Sequence, residues 1–180
     1  MSTVKLPAMK DFIGWNLRLF YPTFDIHSPS GKLLFVNPCT RLEYDNRPPS
    51  LTEQDRLVPG VELFKRMDVA MMVSVISHVS RPLCTAADIL KAGEGPDAED
   101  WRIALAHLNG EGANRIEAIY DLLATLPSPL HRDTQAMIRG ILRAACTVRS
   151  GLQEGKLSRC IEVLLAVGIG MGIVKKNEVY

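Results

Sequence analysis

The chain has 180 residues, 47% of them hydrophobic and 23% charged, with a net charge of +1. That length supports one domain with a real core, or a helical domain carrying a small appendage, and the composition excludes wholesale disorder. The near-neutral total excludes nucleic-acid binding driven by bulk charge alone, but charge is unevenly placed: residues 85–127 carry a net −5 and residues 128–180 a net +4. Opposite blocks of this kind attract, within one chain or between neighbours.

The opening residues, MSTVKLPAMK, lack the apolar core of a secretory signal. The only long apolar run, Ile161–Val174, is 14 residues with Glu162 inside it, too short to span a bilayer. The expectation is a cytoplasmic protein without a transmembrane helix, with peripheral membrane contact left open. Cys39, Cys84, Cys146 and Cys160 show no CxxC and no framework spacing, so they read as free, mostly buried thiols of a reducing compartment.

In chain order, Phe12–Tyr21 has partial period-two character, with Trp15, Leu19 and Tyr21 alternating with Asn16 and Arg18, and reads as a strand. Thr23–Val36 reads as a hairpin: Phe24 and Ile26 alternate with Asp25 and His27, SPSG supplies a turn, and KLLFV follows. A three-stranded sheet would include 15–21. Asn37–Gly60 holds Pro38, Pro48, Pro49 and Pro59. Its length and prolines mark an arm or hinge, dividing residues 1–60, a β unit plus arm, from a helical bundle at 61–180.

Val61–Ser80 reads as one helix, amphipathic in its first half and apolar almost all round in AMMVSVISHV, ended by Pro82. A short helix, Thr85–Lys91, precedes the GEGP turn at 93–96. Asp97–Asn109 is bounded by Asp97 as a cap, Glu99 and Asp100 in the first turn and Gly110 as a stop. Asn114 with Glu117 has capping-box spacing for Arg115–Leu126, and Pro127 ends that helix. Short links make such helices antiparallel neighbours.

Pro129–Ser150 is the longest well-signalled helix, with Ser128 as N-cap and Pro129 as first residue. Leu130, Met137, Ile138, Ile141, Leu142, Ala145 and Val148 form one apolar face, and Arg132, Arg139 and Arg143 line the opposite one. After a break at Gly151 and Gly155, Lys156–Val174 starts as a helix. Gly168, Gly170 and Gly172 weaken it, and the preferred reading is that it persists, with Gly168 and Gly172 giving close helix packing or a subunit interface.

No histidine or cysteine pair has zinc-module spacing. Ser74 and His78 stand four apart on the apolar helix, but a helix interior supplies neither an orienting acid nor an oxyanion hole, so mutual or backbone hydrogen bonding is the reading. GIGMG at 168–172 lacks the third glycine and the following βαβ unit of a dinucleotide loop. Glu99/Asp100 and Glu111/Glu117 sit at helix starts, where the macrodipole accounts for them. His131 and Arg132, in a helix first turn, offer a weak phosphate site. The sequence therefore yields no catalytic residue, no metal site and no cofactor.

The arginine stripe remains. Arg132, Arg139 and Arg143, with Arg149, Lys156 and Arg159 nearby, suit phosphates or an acidic protein surface. The stripe has no aromatic for base stacking and no reading-helix motif. The chain itself holds an acidic complement at 94–121, which favours a protein contact, and planar arginine forks suit interfaces.

The order helix–LNGEG–capped helix–long helix with GILRAAC–short link–apolar helix, over Asp97 to Val174, is similar to the helical domain of orthomyxovirus matrix proteins. The resemblance implies an all-helical, self-associating protein with a basic surface. It covers less than half of the chain, the hairpin and proline-rich arm depart from it, and no functional residue is carried over. The expectation is a mainly α (α+β) protein, a bundle of five to six helices with a small N-terminal hairpin or three-stranded sheet. It would be a non-enzymatic structural or adaptor protein that self-associates as a homo-oligomer or docks an acidic partner. Nucleic-acid binding through the helix at 129–150 is the alternative.

Overall fold

A computed structural model describes residues 6–20, 26–35, 57–93 and 98–180. The protein is mainly helical, an α+β helical bundle with a small two-stranded antiparallel hairpin. The expected cap at Asp97, much of the GEGP turn, Cys39 and most of the proline-rich arm lie outside the described residues.

The segment read as a first strand is a helix, α1 (Phe12–Leu19). Asp11 caps it, its Oδ1 accepting the Gly14 N–H at 2.9 Å. Trp15 and Leu19, four apart and therefore on one helical face, are buried, and the Trp15 indole donates to the Ala8 carbonyl at 2.9 Å. The hairpin pairs β1 (Ile26–His27) with β2 (Leu33–Phe35). Its turn is closed by Ser28, whose N–H donates to the Lys32 carbonyl, and by Gly31 at φ +88°. There is accordingly a two-stranded sheet, and no third strand from 15–20.

The helix expected across 61–80 is two: α2 (Val61–Phe64) and α3 (Val69–Val79). Asp68 separates them, extended at ψ 171° and accepting the Met71 N–H at 2.8 Å, so it opens a new helix rather than continuing the old one. Ser80 joins α3 directly to α4 (Arg81–Ala92), longer than the expected Thr85–Lys91 because Pro82 occupies its first turn. By length and composition Val69–Ala92 could cross a membrane, with a mean hydropathy of 1.3 in its most apolar window. Its Met72, Val75, Ile76, Val79, Leu83, Ala86 and Ala87 side chains are buried in the core.

Gly110 does not stop the next helix. Helix α5 (Glu99–His107) runs through a π-helical turn, Leu108–Gly112, into α6 (Ala113–Thr125). Asn114 is already helical and caps nothing. Gly112 fits here because a β-carbon would lie 3.1 Å from Leu108 Cβ.

Helix α7 (Arg132–Ser150) begins three residues later than expected. His131 is its cap, Nδ1 accepting the Asp133 N–H at 3.1 Å, and Ser128 and Pro129, joined by a cis peptide, belong to the link. Ile138, Ile141, Leu142, Ala145 and Val148 are buried and Met137 is half-buried. α7 packs between α4 and α8 (Lys156–Gly170), while α6 lies on α8, α3 and α2 rather than along α7. α8 persists through Gly168 and Gly170. It ends where the Ile173 and Gly172 N–H groups donate back to the Gly168 and Ile169 carbonyls around Gly172 at φ +75°, a Schellman stop. A last turn, α9 (Lys176–Val179), follows. The buried side chains of α1 and the hairpin belong to the same hydrophobic cluster as those of the helices.

Candidate functional site

Arg132, Arg139 and Arg143 recur at seven and four residues and so follow one line along α7. Arg132 and Arg143 are exposed, as are Lys156 and Arg159 in the first turns of α8. The other two arginines work inside the chain. Half-buried Arg139 donates through Nε to the Ile173 carbonyl at 3.2 Å. Arg149 pairs with Glu162 at 3.2 Å, donates to the Val179 carbonyl and lies over the Tyr180 ring, 4.9 Å from its centroid. The Tyr180 hydroxyl in turn donates to Glu162 at 2.6 Å. Arg149 thus fastens the C-terminal turn to α7 and α8, a role visible only with the chain end in place.

Among the described residues, Arg132, Arg139, Arg143, Lys156 and Arg159 make no ion pair with a carboxylate. Among the described residues the acidic complement is not spent on them. Asp100 lies 4.0 Å from Lys32. Glu117 and Asp121, one turn apart on α6, have no cationic partner among the described residues. They line a groove of about 220 Å³ with Leu19, Phe20, Pro59 and Asn114. Burial first, and the neighbouring Glu117 carboxylate second, push Asp121 above the ordinary carboxylate range.

Gly168 and Gly172 have different roles. Gly168 is buried where α8 crosses α7, and a β-carbon would lie 2.5 Å from Leu142 Cδ1. Gly172 is exposed and sits in the left-handed conformation of the helix stop, outside the helix–helix contact.

A larger cleft, about 640 Å³, opens where α1 and the hairpin meet α4, α6 and α7. Among its lining residues is Arg115, 6% exposed, donating to Asn16 Oδ1 at 2.7 Å with its guanidinium 4.3 Å from the centre of the Phe20 ring. The His107 ring packs against Phe35 at a tilt of 49°, with centroids 4.6 Å apart. Burial, and then the Arg115 charge, hold its imidazole below its ordinary value of 6.5. Sequence reading passed over this site because its walls come from segments up to 125 residues apart.

The remaining candidates are accounted for locally. The Ser74 hydroxyl donates to the Met9 carbonyl at 2.7 Å, and His78 Nε2 lies 3.2 Å from both that oxygen and Ser74 Oγ. The serine proton is committed to a backbone carbonyl, so the pair anchors the N-terminal segment. Cys84, Cys146 and Cys160 are free thiols, each raised chiefly by burial, which keeps them protonated and unreactive. Among the described residues no three His, Cys, Asp or Glu side chains converge as a metal ion would require. Comparison with protein-family models, with curated proteins and with solved structures returns no match.

Proposed function

We propose that this protein is a non-enzymatic structural or adaptor protein that self-associates through opposite charges on separate helices, in the manner of a matrix-like scaffold. The arginine line of α7 on one copy faces the Glu117–Asp121 groove on α6 of the next. The observation that carries this reading is the pairing deficit. Five cations on α7 and α8, and two carboxylates one turn apart on α6, have no opposite partner in their own chain among the described residues. A guanidinium entering the groove offsets the Glu117–Asp121 repulsion, which adds to burial in raising Asp121. Because the two faces differ, the contact is head-to-tail and adds copies instead of closing a two-fold dimer.

The test is mass in solution against protein concentration and salt. Association at low salt that falls as salt rises, and its loss in Arg132→Glu/Arg143→Glu, is the expected result. A monomer at every concentration and salt would sink the reading. The same exposed cations also suit nucleic-acid phosphates. RNA or DNA binding by a strictly monomeric protein, lost in the same variant, would move the assignment to that alternative.

A further inference from the structure

A groove of about 410 Å³ lies where the end of α6, the link to α7 and the end of α8 come together. Leu123, Leu126, Leu130, Met171 and Ile173 give it apolar walls. Among the described residues no charged side chain lines it. Small-molecule sites are mostly apolar clefts of roughly 300–1,000 Å³ in which a few placed polar groups fix the orientation of the ligand. Gln135, the one amide in the lining, donates through Nε2 to the Leu130 carbonyl at 3.0 Å and is held in place by that bond.

One positive charge is fixed at the edge of this groove. Arg139 follows Gln135 by one turn on the same face of α7. Its Nε donates to the carbonyl of Ile173, itself a lining residue, at 3.2 Å. That bond anchors the half-buried guanidinium, and among the described residues its two amino groups have neither a carboxylate nor another acceptor. The carboxylates nearest in sequence are engaged elsewhere: Asp133 lies 3.8 Å from His131, and Glu178 accepts the Lys175 N–H at 3.2 Å. A planar pair of N–H donors on a guanidinium that is already oriented matches the two oxygens of a carboxylate. We infer that the groove is a binding site for a medium-chain fatty acid, its alkyl chain against Leu126, Leu130 and Met171 and its carboxylate on Arg139.

The experiment titrates the full chain with decanoate below its micelle concentration, and with decyltrimethylammonium, which has the same chain and the opposite charge. Heat and the methyl resonances of Met171 and Ile173 are followed. The expected result is saturable decanoate binding with shifts at both methyls, and binding of the cation weaker by at least about tenfold. Arg139→Gln, which can still donate to the Ile173 carbonyl, should weaken decanoate binding by about tenfold. Gly170 lines the groove with open space at its β-carbon, so Gly170→Leu should fill the wall and weaken binding severalfold at unchanged or higher thermal stability; lost binding is then not lost folding. Arg159→Gln, near the other end of α8, should bind as the parent does. Absence of methyl shifts at millimolar decanoate, equal binding of the two probes, unchanged binding in Gly170→Leu, or an Arg139→Gln affinity no lower than that of Arg159→Gln overturns the inference. The groove shares no residue with the Glu117–Asp121 groove, and the association variants leave Arg139 in place, so either reading can fail without the other.

Discussion

Gly168 on α8 faces Leu142 on α7 so closely that a β-carbon would stand 2.5 Å from Leu142 Cδ1. Both residues are fully or almost fully buried, so neither helix can yield without disturbing the core. Gly168→Ala should therefore destabilise the protein by about 1–3 kcal/mol despite alanine's better helix propensity. Gly170→Ala, two residues on with open space at its β-carbon, should be neutral or stabilising. Chemical denaturation of both variants checks the contrast. Leu142→Ala in the Gly168→Ala background should remove the added clash, giving less destabilisation than the two single changes summed.

The C-terminal turn is held by Arg149, Glu162 and Tyr180 together. Arg149→Ala should cost about 1 kcal/mol, since the pair is partly exposed and much of its attraction is screened. It should also speed amide exchange in residues 176–180 severalfold. Glu162 accepting its hydrogen bond, ahead of burial, raises the Tyr180 phenol above its ordinary 10. The neutral phenol is the form the fold prefers, so this contribution is complete below pH 10 and disappears as pH rises through the raised value. Alkaline titration of tyrosine absorbance should show a late-titrating group that Tyr180→Phe removes, while Tyr120, raised chiefly by burial and then by the Glu117 carboxylate, titrates late in both proteins.

The sequence displayed these contacts unevenly. The buried face of α7 was legible because Ile138, Ile141, Leu142, Ala145 and Val148 repeat at helical spacing within one segment, and the hairpin because SPSG is local turn chemistry. Phe12–Leu19 misled because alternation and helical spacing coincide over so short a run: Trp15 and Leu19 fit both. The deciding features were the Asp11 cap and the burial of Asn16, whose partner Arg115 is 99 residues away. Asp68 was a cap signal inside an otherwise continuous apolar pattern, and LNGEG supplied glycines that a π turn absorbed. The arginine stripe was legible as a line; that Arg139 and Arg149 serve the C-terminus was not, because their acceptors are 34 and 30 residues downstream.

His107 gives the cleft a pH dependence of definite sign. Its imidazole is held below 6.5 by burial and then by the Arg115 charge, so the folded state takes up its proton later than the unfolded chain does. Stability from this group is complete above pH 6.5 and declines as pH falls from there to the lowered value. The raised Asp121 acts oppositely at lower pH, gaining stability as pH falls through its own value. The measurement is therefore a difference: His107→Gln should show a flatter stability profile than the parent between about pH 5.5 and 7, and equal slopes would show that His107 is not shielded.

The head-to-tail contact makes a sharper demand than salt dependence. If the arginine line of one copy meets the Glu117–Asp121 groove of the next, Glu117→Lys/Asp121→Lys should abolish association alone, because its groove repels the cationic helix of every neighbour. Arg132→Glu/Arg143→Glu should fail alone for the mirror reason. Mixed, the two variants offer no oppositely charged pair from their altered faces except one: the lysine groove of the first against the glutamate line of the second. That pairing restores a single junction, and the remaining faces, native arginines and native carboxylates, form the other. The mixture should thus recover association at low salt by at least tenfold over either variant, with junctions alternating between reversed and native sense. Sedimentation of each variant and of the mixture at two salt concentrations decides it. Recovery identifies the two faces as partners, whereas a mixture that stays monomeric separates them.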